Sequence, residues 1–394
     1  MNIKSLTAAT ILAPILASIW YPHIPPAAAN PTPSDLSIPT YDHIFVIIEE
    51  NKAYDQIIGN PNAPIINQLA HTYGIASNYY GVVHPSEGNY VAILGGSTFG
   101  IHDDAPFNSN ASSLGSHGVD HTIAQPSLLD QLEAKGLTWK GYFESIPEPG
   151  YKGTAYPNGL IALYASKHNG FLNYKKVQDN PQELAKLVSF NEFNQDLKNG
   201  TLPNYSQIIL NQCNEMHGLA QCPNLQQLIK TGDTMIGKIV DKITQSPLWS
   251  SPKNNAIIIT WDEDDGRPPY TQGCCGYDPQ SKANFGGGHI ATIVVTNHGP
   301  RGVTDQTPYN HYSLLRTTED AFGIHEYLNT ANSTELGVKP LAPLFANISS
   351  QPITQTDVKP ATSQPNLWVL ALGLFAATSL GTFFTLRGKL NNSN

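Results

Sequence analysis

Apolar residues in this chain collect in two kinds of segment that alternate along it. Short unbroken runs rich in β-branched residues lie at 43–48 (HIFVII), 256–261 (AIIITW) and 290–296 (IATIVVT), the pattern of strands buried on both faces in a parallel sheet. Residues 138–143 read as a further strand. Other segments space their apolar residues three and four apart. Asn62-Ala63-Pro64 opens a helix with Ile65, Ile66, Leu69 and Tyr73 on one face and Gly74 as its stop. Pro126-Ser127 opens another, with Leu128, Leu129 and Leu132 facing inward and Gly136 closing it. Residues 231–244 set Ile236, Ile239, Val240 and Ile243 at helical spacing, and residues 313–322 form a helix closed by Gly323. The alternation predicts an α/β fold: a three-layer sandwich around a mostly parallel central sheet, in one domain over residues 35–350. Residues 150–223 are more polar and less periodic, and are expected to form an inserted cap over the ligand edge of the sheet.

The two ends of the chain differ from this domain. Lys4, an apolar stretch over 6–20 and Ala27-Ala28-Ala29 give residues 1–30 the layout of a secretory signal. Residues 367–386 carry no charge and are followed by Arg387 and Lys389, which predicts a transmembrane anchor with a cytoplasmic tail at 387–394. Residues 351–366, rich in Pro, Thr and Gln, suit a linker. The expected location is the outer face of the cell membrane, single-pass, with a secreted form if processing removes the tail. The composition fits a loop-rich globular protein: 13% of the 394 residues are charged, and there are 32 Gly and 30 Pro. A net charge of -9 without a basic block argues against nucleic acid as a partner. Cys213, Cys222, Cys274 and Cys275 fit structural disulfides in an exported chain. A Cys213–Cys222 bridge would enclose His217; Cys274 and Cys275 would form a vicinal bridge or a reduced pair.

Chemistry concentrates where two of the strands end. The first runs into Glu49-Glu50-Asn51 and the second into Asp262-Glu263-Asp264-Asp265. Ligands of parallel sheets bind beyond the carboxyl ends of strands, so neighbouring strands would bring these acids together. Close carboxylates repel unless they share protons or a cation. Strand alternation sends Glu49 and Glu50 to opposite sides, so one of them can reach a metal, and Asn51 can add a carbonyl oxygen. In HPSEGNY, Ser86 precedes an expected helix and can direct its hydroxyl into a site, while Asn89 can donate to a phosphoryl oxygen. His217, His289, His298 and His311 sit in Gly-, Asn- or Pro-flanked loops and can supply anion-facing donors, metal ligands or a leaving-group acid; His217 and His311 are the leading candidates.

The order of HIFVIIEEN, HPSEGNYVAILGG, GDTMIGKIV, IIITWDEDDG, GGGHIATIVVTNHGPRG and YNHYSLLRTTEDAFGI resembles the bacterial phosphoesterase family that includes phospholipases C and secreted acid phosphatases, relatives of the alkaline phosphatase superfamily. The resemblance implies an alkaline-phosphatase-like fold, Ser86 as nucleophile, and a divalent cation at Glu50, Asn51, Asp262 and Glu263, with Glu49 as the alternative to Glu50. It also places Asp233 where superfamily members have a metal-binding Asp at the start of a helix, and Asn89 on the phosphate; among the loop histidines, His289 is the one expected to bind substrate. The two-metal enzymes have Asp-His where this chain has Asp262-Glu263, and a His where it has Gly237. One ion is therefore expected rather than two. The expected activity is that of a membrane-tethered acid phosphatase-like phosphomonoesterase, with a phospholipase C-type diesterase as the alternative. From a different class, a non-catalytic surface protein would bind through the aromatic-rich region 142–174.

Overall fold

The computed structural model describes residues 36–108, 117–157, 161–268, 272–282 and 284–346. The expected signal, linker, anchor and cytoplasmic tail lie outside the described residues. Among those described, no helix is long and apolar enough to cross a membrane.

Eleven strands are described: β1 His43–Glu49, β2 Gly74–Tyr80, β3 Trp139–Phe143, β4 Ala155–Tyr156, β5 Tyr164–Ala165, β6 Leu187–Ser189, β7 Tyr205–Ile209, β8 Asn255–Trp261, β9 His289–Thr296, β10 Val303–Asp305 and β11 Tyr309–Asn310. Nine of them form one sheet in the order β10-β2-β9-β8-β1-β7-β3-β6, with β11 also paired to β2, while β4 and β5 make a separate hairpin. Pairing is parallel throughout β8, β1, β7, β3 and β6, and β9 runs antiparallel to both of its neighbours. The sheet is thus mixed but mostly parallel, and the α/β expectation holds. Every residue of β8 is buried, as is every residue of β1 after His43. Since successive side chains point to opposite faces, both faces of the sheet centre are covered.

The helices form where the periodicity indicated. The Pro64–Thr72 helix packs against the Leu225–Thr244 helix, which begins earlier than the apolar pattern alone suggested, capped by the Asn224 side chain. Elsewhere, the Glu87–Gly95 helix packs against His311–Ala321. Ser127 opens the Leu128–Ala134 helix in a capping box with Asp130.

One region departs from expectation. Residues 150–223 do not only cap the sheet: they contribute β6 and β7, and β7 lies directly beside β1. The polar Ser206 and Gln207 obscured β7 in the sequence. Both are buried, and Gln207 donates to the Tyr205 hydroxyl at 2.8 Å. The hairpin of β4 and β5 leads straight into Ser166–His168.

Candidate active site

The register of β1 on β8 pairs Glu49 with Trp261, so the next residues, Glu50 and Asp262, leave the sheet side by side. Backbone bonds continue past the strand ends: Asp262 N donates to Glu49 O (3.0 Å) and Glu50 N to Glu215 O (2.7 Å). Asn51 then turns with a positive φ of 54, a conformation Asn tolerates better than most residues. Its amide N donates to Asp262 Oδ1 (3.1 Å), and its side chain donates to Glu50 Oε2 (3.0 Å).

Ser86 reaches the same point from another direction. It is the N-cap residue of the Glu87–Gly95 helix, yet its side chain makes no capping bond. The hydroxyl instead faces Glu50 Oε2 at 3.1 Å and Glu263 Oε1 at 3.2 Å. Tyr90, one helical turn on, donates to Glu50 Oε1 at 2.6 Å. His84 pairs with Glu263 (2.6 Å) and Asp264 (3.3 Å).

The segment after β5 supplies a third side. His168 Nε2 lies 3.3 Å from Glu50 Oε1, and its Nδ1 lies 2.7 Å from Glu215 Oε1. The His217 ring sits 5.3 Å from that of His168, and donor atoms of Glu50, His168 and His217 all lie within 4.8 Å of one another. Lys167 extends to Asp104 Oδ2 (2.8 Å) and approaches His217 Nε2 (3.3 Å). The Cys213–Cys222 disulfide closes the loop that holds His217, and Cys274–Cys275 is bonded as a vicinal pair.

Burial dominates the electrostatics. It raises the Glu50 carboxyl well above its usual range, with Asp262 and Glu215 adding repulsion. Glu215 is raised by burial, then by Glu49 and Asp262. Burial pushes Asp262 up to about 6, and burial with Asp262 beside it pushes Glu263 up to about 8. For His84 burial opposes the charge, but Asp264 and Glu263 outweigh it and raise the imidazole to about 10. Burial and the Lys167 ammonium lower His217 to about 4. Among the described residues, several buried carboxylate oxygens, including Asp262 Oδ2, Glu263 Oε2 and both of Glu215, have no aligned hydrogen-bond donor. Crowded acids with orphaned oxygens, next to a hydroxyl and an amide, fit a divalent cation with oxygen ligands, and the two imidazoles widen the choice of metal.

Other residues singled out in the sequence are placed differently. Asn89 does not face the site: its Oδ1 accepts from Val82 N (2.9 Å) and Val83 N (3.2 Å), and its Nδ2 donates to Val83 O (2.7 Å). It braces the loop leading to Ser86. His311 lies behind the site, fully buried, with Nε2 at 2.6 Å from the Asp262 carbonyl and Nδ1 at 3.2 Å from the Tyr79 hydroxyl. With both nitrogens engaged and burial lowering it to about 4, it orients Asp262 rather than protonating a leaving group. His289 stacks on Tyr54 (4.6 Å) in a side pocket of about 320 Å³, also lined by Asp264, Arg267 and Gln272, and its Nε2 meets Ser77 O at 2.9 Å. Asp233 is in mid-helix, not at a helix start, and accepts from Ile66 N (2.8 Å) at the head of the Pro64–Thr72 helix. Glu49 faces that same Leu225–Thr244 helix, where a Cβ on Gly232 would meet its Oε2 at 3.0 Å. His298 bonds Ser251 O at 2.8 Å. Lys167, His168 and Glu215 joined the site without a motif to announce them, while His84 and Tyr90 flank Ser86 within HPSEGNY but carry no expected role there.

Strand-end carboxylates around a serine at the head of a helix define a candidate hydrolytic site. The chain belongs to the Phosphoesterase family, which matches residues 60–325. It is 28% identical over 322 residues to a phosphatidylinositol-3-phosphatase of Mycobacterium tuberculosis, covering 82% of this chain and 89% of that protein. A phosphate-repressible acid phosphatase of Penicillium chrysogenum is 28% identical over 289 residues, 72% of this chain and 60% of that one. Non-specific phospholipase C4 of Arabidopsis thaliana is 23% identical, covering 69% and 48%. Among solved structures, an alkaline phosphatase superfamily protein from Vibrio parahaemolyticus superposes with a TM-score of 0.45 at 15% identity, over 74% of this chain and 71% of that one. The protein is a phosphoester hydrolase.

Proposed function

We propose that this enzyme is an exported, membrane-tethered, metal-dependent phosphomonoesterase that works through Ser86. The observation that carries the reading is the Ser86 hydroxyl, which forgoes its capping bond and instead points between Glu50 and Glu263 at 3.1 and 3.2 Å. Glu50, Asn51, Asp262 and Glu263 would hold the cation, with His168 and His217 at its edge. When bound, it would lower the pKa of a neighbouring hydroxyl and offset negative charge on phosphoryl oxygens.

The remaining work belongs to the chain. One of the two flanking carboxylates takes the Ser86 proton as the serine oxygen attacks phosphorus in line. The bond from phosphorus to the leaving oxygen breaks, and water later cleaves the phosphoseryl ester to return Ser86 and inorganic phosphate. Lys167 presents positive charge to the non-bridging oxygens. His217, neutral when free and only partly buried, can relay a proton to the leaving oxygen.

Ser86→Ala is expected to lower kcat on p-nitrophenyl phosphate by about 10³-fold or more, with the melting temperature unchanged. Normal turnover by this variant would sink the nucleophile assignment, and full activity after exhaustive chelation would sink the metal. Relatives named as phospholipases C favour a diesterase as the second reading. Faster turnover of bis(p-nitrophenyl) phosphate than of the monoester would decide for it. Two disulfides support passage into an oxidising compartment. Protease treatment of intact cells should then degrade the domain; full protection would refute an outward-facing tether.

A further inference from the structure

A second group of metal-competent side chains lies beside the nucleophile and takes no part in the chemistry above. Glu87, which follows Ser86, is fully buried, as is His121, and Asp103 is nearly so. His121 Nδ1 is 3.0 Å from Glu87 Oε1, and His121 Nε2 is 3.2 Å from Asp103 Oδ1. One donor atom from each of the three lies within 4.8 Å of the others. His117 reaches in from the surface, with Nδ1 3.0 Å from Asp103 Oδ2.

We propose that Glu87, Asp103 and His121 bind a second divalent cation of the zinc or manganese class, with His117 closing the coordination from the solvent side. The simpler alternative is an imidazolium shared by two acids, and two details count against it. The contact between His121 Nε2 and Asp103 lacks hydrogen-bond alignment, so among the described residues this ring nitrogen has no bonded partner. Glu87 Oε2 is likewise buried with no donor, although Asn173 serves the other oxygen at 2.6 Å. Unsatisfied buried polar atoms are rare because each costs free energy, and an ion would satisfy both. Metal bonds of about 2.0–2.2 Å put neighbouring ligand atoms roughly 3–3.6 Å apart, so the Nε2–Asp103 pair needs little adjustment, while Nδ1 keeps its bond to Glu87 Oε1 and orients the ring. Two carboxylates and one or two imidazoles favour a borderline transition ion over calcium or magnesium.

The position gives such an ion a purpose. Asp104, next to Asp103, accepts from Glu87 N at 3.2 Å and holds Lys167 at 2.8 Å. A cation here would pin the first turn of the serine-bearing helix to the loop that steadies Lys167. Its role is positional, and the proposal does not depend on which residue is the nucleophile.

The test is anomalous diffraction at the zinc edge from crystals of the unmodified domain soaked in zinc, paired with metal analysis of variants. The expected map has a peak between Glu87, Asp103 and His121, separate from any at Glu50. His121→Gln should lower bound zinc by one equivalent per chain, and Glu50→Gln should remove a different equivalent. Should His121→Gln fail to fold, His117→Ala replaces it, since that side chain is 63% exposed; it should weaken zinc binding at this site by about tenfold or more. A map with no peak at the three residues, or zinc affinity unchanged in His117→Ala and stoichiometry unchanged in His121→Gln, would overturn the proposal.

Discussion

Asn89 shows how a residue's chemistry and its use can part. Its amide is well suited to a phosphoryl oxygen, yet all of its described bonds go to the backbone at Val82 and Val83. Asn89→Ala would leave two buried N–H groups without an acceptor, each costing about 1–3 kcal/mol. Urea unfolding should show that loss, with KM for p-nitrophenyl phosphate little changed. A large rise in KM at unaltered stability would instead return Asn89 to the substrate. The strand-end acids were readable for the opposite reason: an apolar run that stops in charge is a local signal. Lys167 and His168 carry no such signal. They matter only because the β4–β5 hairpin delivers them to Glu50 and Asp104, a contact that adjacent sequence does not encode.

Among the elements, the His311–Ala321 helix links site and core. Its first residue holds the Asp262 carbonyl, and near its far end Glu319 accepts from Leu328 N at 2.9 Å. Burial raises the Glu319 carboxyl to about 8 from 4.5, even though the Leu328 amide pulls it down. The folded protein therefore keeps a proton that the unfolded chain releases. The stability gained from it is complete below about pH 4.5 and is lost as pH rises through 8. Glu319→Gln, which keeps an acceptor for Leu328, should flatten that part of the stability–pH curve. Identical curves for the two proteins in chemical denaturation from pH 5 to about 8.5 would contradict the assignment. Helices were readable from spacing and stop residues, with errors of a few positions at their starts. β7 was not, since burial of Ser206 and Gln207 breaks the rule that core strands are apolar throughout.

For the molecule as a whole, the outer part of the site is fastened by covalent bonds as well as packing. The Cys213–Cys222 bridge shuts a short loop that presents His217. Replacing both cysteines with serine should cost about 2–3 kcal/mol through added freedom of the unfolded chain. It should also reduce turnover as His217 loses its fixed place. Thermal melts and kcat under identical buffer check both parts, and a variant equal to wild type in each would leave the bridge without the role described. The order of strands was the least readable feature at this scale, because it depends on which distant segments share register.

That order has a consequence for how the molecule is made. β1, seven residues of which six are buried, is the first of the described strands to be synthesised, but it sits between β7 and β8. Ile44 pairs with Tyr205, and His43 with Asn255. An emerging nascent polypeptide must therefore carry this apolar segment unpaired until well past its midpoint has been translated. Closure is inherently slow for such long-range pairing. During that wait the unpaired strand is open to intermolecular pairing, and aggregation competes with folding.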